Sequence, residues 1–185
     1  MAECRSLLPE GVPTTTPIAL DGTGRSIPLG VDIDGDVAAT AMLRPWARSG
    51  HAHQAAIVVW LFHFRHGQWV SLGGGACVEA GPWLVDRRPA AEAGGYVRQQ
   101  SGGGVVRNAN RLFPWGRTFV CHAELQLAAE VDLVRIGSRQ TTVPPHGHLV
   151  VVWATRQAPT VDAYAVDGRH LGSLNLYASA DGPLR

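Results

Sequence analysis

The chain has no lysine; all 16 of its basic residues are arginines. That excludes a Walker A phosphate loop, a lysine Schiff base and a kinase-type phosphate lysine, each of which needs the ammonium group. Cysteine is scarce as well. Cys4, Cys77 and Cys121 are odd in number and form no CxxC pair, so neither a disulfide framework nor a zinc ribbon is indicated, and a cytoplasm with reduced thiols is the expected location. The longest apolar run, Ala55 to Phe62, falls far short of the ~20 residues that cross a bilayer. No basic segment followed by an apolar one opens the chain, so no secretory signal is expected. There is no Gly-x-Ser-x-Gly elbow and no internal repeat. Charged residues make up only 17%, too few for a disordered or highly solvated chain.

What is present points to a compact β-protein. With 185 residues, 45% of them apolar, the chain suits one domain with a core of its own. Arginine, alanine, glycine and valine in place of lysine fit a GC-rich bacterial genome. The formal net charge is +1, so no global field favours nucleic acid or a membrane. Charge is distributed unevenly, however. Residues 1–36 carry six acidic and two basic side chains, and residues 88–117 carry five arginines against Glu92.

Residues 1–25, with three prolines and a threonine triplet, read as a flexible N-terminal arm. A β-sandwich domain is expected over 26–178, with a C-terminal tail over 179–185. "VAATAML" after Asp36 reads as a short helix capped by that aspartate. "QAAIVVWLFHF", "RHGQ" and "WVSL" read as a hairpin, with a bulge or close backbone approach at "GGGAC". Residues 87–117, with six glycines and no sustained periodicity, read as a long loop or flap. From Phe119 to Leu133 every odd position is apolar, while His122, Glu124, Gln126, Glu130 and Asp132 fall on even ones. That is a strand period with one wet face. Short strands and turns then follow as a meander over 118–175, ending in an Asp167-Gly168 hairpin of the two-residue type I′ class. The fold class is therefore all-β: a single-domain antiparallel sandwich or jelly-roll-like body with one or two short helices at most.

Candidate chemistry is thin. His51-Ala52-His53 and His146-Gly147-His148 have the His-x-His spacing that can place two ligands on one strand face. The glutamate that would follow in a cupin-type jelly roll is absent, since those places hold Ile57, Val58, Val152 and Trp153. No metal or other cofactor is expected. The run Asp32 to Asp36 reads as a solvated turn, because an EF-hand would need Gly and Glu where Val37 and Leu43 stand. The glycine-rich segment combines Arg98, Arg107 and Arg111 with Tyr96 and Trp115, ingredients for an anionic or π-faced ligand. The functional expectation is a non-catalytic module that binds a protein partner or copies of itself through the acidic arm and basic flap. Alternatives are a small enzyme with a site beneath 87–117 using some of His63, His66, His122 and Asp86, or a weak binder of anionic ligands or single-stranded nucleic acid.

Overall fold

A computed structural model describes residues 2–10, 26–48, 51–79, 87–108 and 118–177. The all-β, antiparallel, sandwich-like architecture expected from the sequence is the one found. Three sheets stack in layers. The first holds β1 (Ile27–Asp34), β2 (Val37–Arg48), β3 (His51–Arg65) and β4 (Gln68–Glu79) in sequence order. The second, central sheet has β5 (Val97–Val106), β6 (Phe119–Leu127) and β9 (His148–Trp153) in the order β5-β6-β9. The third is ordered β11-β10-β7-β8, from β7 (Leu133–Ile136), β8 (Arg139–Thr142), β10 (Thr160–Tyr164) and β11 (His170–Asn175). Two helices complete the described chain, α1 (Ala2–Glu10) and α2 (Ala90–Ala93).

Side-chain alternation explains the layering. On β2 and β3, Val37, Ala39, Ala41, Leu43, Ile57, Val59 and Leu61 form one core with Val120, Val150 and Val152 of the central sheet. Residues one step out of phase, Ala38, Met42 and Phe62, point to the other face and pack against Cys4, Leu7 and Leu8 of α1. The odd residues of β6, Cys121, Ala123, Leu125 and Leu127, join Val151, Trp153, Val134, Val161 and Ala163 in a core against the third sheet. The central sheet is thus covered on both faces. The period-two pattern of 119–127 is correct, but the wet face is not: His122 and Glu124 are buried.

Four further expectations are corrected. Residues 2–10 of the presumed arm are helical; Cys4, Leu7 and Leu8, spaced i, i+3, i+4, make an apolar stripe that covers the outer face of β2 and β3. Residues 11–25 lie outside the described residues. "VAATAML" is strand, because each face of β2 meets an apolar layer and tertiary burial overrides alanine's helix propensity. Asp36 belongs to the turn before it, in which Gly35 has a φ of 60°. Within 87–117, residues 97–106 are not loop but β5, paired with β6 from Val97↔Leu127 to Val106↔Phe119. The run 118–175 is not a simple meander, since β9 leaves the third sheet to pair with β6.

The turns show why register holds. The β3–β4 hairpin closes on His66-Gly67, both with positive φ, as a type I′ loop requires. In β4 the register shifts between Leu61↔Gly73 and Phe62↔Ser71, placing a bulge beside the glycine triplet as expected. The Asp167-Gly168 hairpin exists but has a three-residue loop. Gly168 N–H donates to Ala165 O and Ala165 N–H to Arg169 O, with Gly168 at φ 81°. That is a type I turn followed by a left-handed glycine, not the two-residue class.

Candidate functional site

A cleft of about 360 Å³ opens where the first and central sheets meet at β4 and β5. Its origin can be read from the strands. Residues facing each other across a ladder point the same way. Gly75 is opposite Val59, whose side chain lies in the core between the sheets. A side chain at position 75 would therefore enter the space between sheets, and a Cβ built there meets nothing within 4 Å. On the facing wall, Ser101 and Gly103 of β5 stand opposite Glu124 and His122 of β6. Deeper in the same layer Val105 closes against the chain at Gly73, where an added Cβ would lie 3.5 Å from its Cγ1. The core is packed up to that point. Beyond it both walls lose their side chains, and the floor becomes polar.

Folding alone does not account for this floor. His122 is about nine-tenths buried, and its Nδ1 has no hydrogen-bond partner among the described residues. An unsatisfied buried group of this kind costs about 1–3 kcal/mol relative to a paired one. Burial lowers its pKa to about 4, a polar contact with the Gly103 backbone only partly opposing this; the ring is neutral at physiological pH. Glu124, two residues along the strand on the same face, is buried beside it. Protein interiors are packed nearly as densely as organic crystals, so a void lined by glycine above a buried histidine and glutamate is a poor core and a plausible receptacle. Its volume lies at the small end of the range for ligand pockets, roughly 300–1,000 Å³.

The other three glycines of the two triplets have different jobs. A Cβ on Gly74 would collide with the carbonyl oxygen of Val59. Gly102 and Gly104 face the third sheet, where a Cβ would crowd Tyr177 O at 3.3 Å and Cys121 Sγ at 3.2 Å, respectively. Gln99 holds the Tyr177 backbone in place by donating from Nε2 to its carbonyl at 2.7 Å and accepting from its N–H at 3.2 Å.

The residues anticipated from the sequence do not meet at one place. Tyr96 packs on the core below the third sheet. Arg98 is exposed, its guanidinium 3.4 Å from the Gln126 side-chain oxygen. Arg107 lies beyond the far end of β5, roughly 30 Å along the strand from Arg98, and pairs with Asp36. Arg111, Trp115 and Asp86 lie outside the described residues. Around Asp36, His63 Nε2 is 3.3 Å from the carboxylate and His63 Nδ1 accepts from Arg65 Nε at 2.9 Å. Arg107 also approaches His63 Nε2, so the ring sits between two guanidinium groups and one carboxylate. Burial first, then Arg107, lowers the pKa of His63, while Arg107 and His63 outweigh burial to lower that of Asp36. His66 is an exposed turn residue.

The aspartate run is not simply solvated. Asp32 is largely buried and accepts from Arg139 at 2.5 Å and from the Val152 N–H at 2.8 Å; burial raises its pKa against the opposing pull of Arg139. His146 sits in the turn before β9, buried, its Nδ1 accepting from the His148 N–H at 3.1 Å. Burial, helped by His148 and Arg87, lowers its pKa to about 4. Among the described residues no three His, Cys, Asp or Glu side chains converge in a way that could hold a metal ion, and the side chains of His51 and His53 are outside the described ones. No described helix is long and apolar enough to cross a membrane.

One constellation on the third sheet has the composition of a hydrolytic triad. Ser173 Oγ donates to Asp162 at 2.5 Å, and His170 Nε2 is 3.1 Å from Ser173 Oγ and 3.8 Å from the same carboxylate. The connectivity is wrong for nucleophilic attack, which needs serine on one imidazole nitrogen and aspartate on the other. Here the serine proton goes straight to aspartate, and His170 is half exposed.

Neither a known protein family, nor a curated protein, nor a solved structure matches this chain. The cleft therefore stands on its own geometry. Of its residues, only His122 was singled out from the sequence. The signal that could have found the rest was the combination of two glycine triplets with polar residues at even positions of a strand whose both faces are covered.

Proposed function

We propose that this chain is a small-ligand-binding β-sandwich protein whose site is the glycine-walled cleft above His122 and Glu124. The observation that carries the reading is a pair of polar side chains at core positions, beneath a void that a single larger residue at position 75 would fill. Binding is favoured over catalysis because a general base works best when its pKa lies near the operating pH, and a pKa of about 4 makes His122 a weak base at neutral pH. The enzyme reading has one point in its favour, the presence of a histidine and a glutamate among the residues that line the cleft. Self-association through complementary charge is less favoured, since Arg107 of the basic segment is already engaged by Asp36 within the chain.

The test is a fragment screen by NMR, reading the ring signals of His122 in the wild type and in Gly75→Val. Fragments that shift His122 in the wild type and lose at least tenfold in affinity in the variant identify the cleft. Binding that moves other residues and ignores Gly75→Val places the site elsewhere.

A further inference from the structure

Resting on the reading of the cleft as a binding site, we propose that its occupant is an uncharged peptide segment of about five residues, held extended as an added strand on the free edge of β4. An antiparallel ladder turns the N–H and C=O of every second residue away from the partner strand, and β4 is the last strand of its sheet. Natural proteins blunt such edges with charge, proline, short length or a covering segment. The other edges of this fold are blunted in those ways. β1 carries Pro28, Asp32 and Asp34. β9 has its Val152 N–H on the Asp32 carboxylate and its Val152 C=O on Arg139. β5 carries Arg98 and has the Tyr177 backbone lying against Gly102. β8 and β11 are only four and six residues long. β4 has twelve residues, with neither proline nor charge between Gln68 and Glu79. Among the described residues no backbone group outside β3 bonds to it. The bulge at Leu72 sets off the hairpin end, and residues 73–79 remain as a template.

Edge and cleft fit each other. A strand added to β4 continues the first sheet, so every second side chain of it points into the space between the sheets. Gly73 and Gly75 are the inward positions of β4 there, opposite Leu61 and Val59 of the core. Gly74, Gly75 and Ala76 are exposed, and the space beside Gly75 is open. An inward side chain of the added strand therefore enters beside Gly75 and over Gly103, where Leu61 and Val105 supply an apolar lining. Glycine on both walls is what the close approach of another backbone requires. His122 stays beneath Gly103, its ring 3.1 Å from where a Cβ there would stand, and makes no bond to the ligand.

Length and charge narrow the occupant further. Five consecutive residues of β5, 101–105, line the cleft, about 17 Å of extended chain. That is the span of a short strand and longer than a compact molecule needs. No arginine lines the cleft among the described residues, the β4 edge carries no charge between Gln68 and Glu79, and Glu124 is buried with an interaction of its own. A charged side chain directed inward would be desolvated without a partner, which is strongly unfavourable. An apolar one fills the void at no such cost.

The experiment titrates the isotope-labelled full chain with capped pentapeptides that carry valine, leucine or alanine at the second and fourth positions and serine elsewhere, and with relatives that carry aspartate or lysine at those two positions. Two further versions of the tightest binder bear N-methyl groups on alternate amides, one set on each edge of the extended peptide. Backbone amide signals of Gly74, Gly75, Ala76 and Gly103 are followed in the wild type and in Gly75→Val. At least one apolar peptide is expected to bind saturably below about 1 mM, with the charged relatives at least tenfold weaker. One N-methylated version should lose at least tenfold and the other stay within about threefold, because a single edge of the ligand faces β4. Gly75→Val should weaken binding at least tenfold; if that variant fails to fold, Gly75→Ser replaces it and should weaken binding in the same direction. Tighter binding of a charged peptide, or equal effects of the two N-methylated versions, overturns the added strand. Shifts of the Gly74, Gly75 and Ala76 amides that depend on protein concentration without peptide overturn it too, and make a second copy of the chain the occupant. If no peptide binds while Gly75→Val still excludes fragments, the peptide class falls and the cleft stays a site. Peptide and fragment binding both indifferent to Gly75→Val would overturn the class and the site together.

Discussion

Acidification should unfold this protein through two histidines held neutral in the core. The His122 and His146 pKa values each fall from 6.5 to about 4, with burial as the main cause. In the unfolded chain both rings take up a proton near pH 6.5; in the native state neither does until about pH 4. Between those limits the unfolded state binds more protons, so stability rises with pH there and is lost as pH falls. At 1.36 kcal/mol per unit, each ring contributes at most about 3 kcal/mol that is intact at neutral pH and gone near pH 4. Together they give a slope of up to ~2.7 kcal/mol per pH unit, and a total comparable with the lower part of the usual 5–15 kcal/mol range. His148 and His63, also lowered mainly by burial, and Asp36, lowered by Arg107 and His63, act in the same direction. Asp32, raised by burial, acts in the opposite one, and favours the native state as pH falls toward its own titration. The assay is urea denaturation at half-unit steps from neutral pH to about 4.5 for the wild type, the two single glutamine variants and His122→Gln/His146→Gln. Each single change should flatten the slope, and the double change should flatten it most. An unchanged slope in the double variant, or either ring titrating near 6.5 by NMR in the folded protein, would refute the assignment of these rings as buried neutral groups.

Other substitutions separate packing from site. Gly74→Ala should cost about 1–3 kcal/mol in denaturant unfolding, since its Cβ meets the Val59 carbonyl, whereas Gly75→Ala should stay within about 0.5 kcal/mol because the space is open. Arg139→Met strands Asp32 in a largely buried setting and should cost about 3 kcal/mol, with a smaller loss in the Asp32→Asn/Arg139→Met pair. Arg107→Ala should change stability by no more than ~1 kcal/mol, because the Asp36 partner is half exposed, yet it should raise the His63 pKa in an NMR titration by removing a neighbouring positive charge. Leu7→Asp should expose the outer face of β2 and β3 and increase binding of a hydrophobic dye, as Leu7 lies against Ala38, Met42 and Phe62.

Local pattern made some of this legible and left the rest hidden for definite reasons. Alternation over 119–127 gave the strand, and the "RHGQ" stretch around His66-Gly67 gave a hairpin, because strand period and turn chemistry are properties of neighbouring residues. The Cys4, Leu7, Leu8 stripe was equally local, but a nine-residue helix next to a proline-rich stretch is easily read as part of it. β5 was hidden because its Ser-Gly-Gly-Gly core has no strand propensity of its own; it is extended because β6 pairs with it along its length. The cleft was hidden for a related reason. Even residues of β6 look solvent-facing unless a third layer is known to cover them, and the layering depends on contacts between β6 and strands more than 60 residues away.

The arginines, read along the chain, suggested a basic surface awaiting a partner. In the fold several of them are structural braces, and the absence of lysine becomes intelligible in those terms. Arg139 donates to Asp32 at 2.5 Å, to Ile33 O at 3.2 Å and to Val152 O at 3.0 Å, joining β8 to β1 and β9. Arg87 donates to the carbonyls of Ala128 and Val131 in the connection between β6 and β7. Each guanidinium satisfies separated acceptors on different segments through a rigid fork, which a single ammonium on a flexible stem does less well at the same entropic cost. The acidic and basic stretches of the sequence thus neutralise each other partly within the chain, at Asp36 with Arg107, and Asp32 of the acidic stretch is met by Arg139 from beyond the basic one. That leaves less charge for outside partners than the linear count implies, and shifts the weight of any functional reading from the arginines to the polar floor of the cleft.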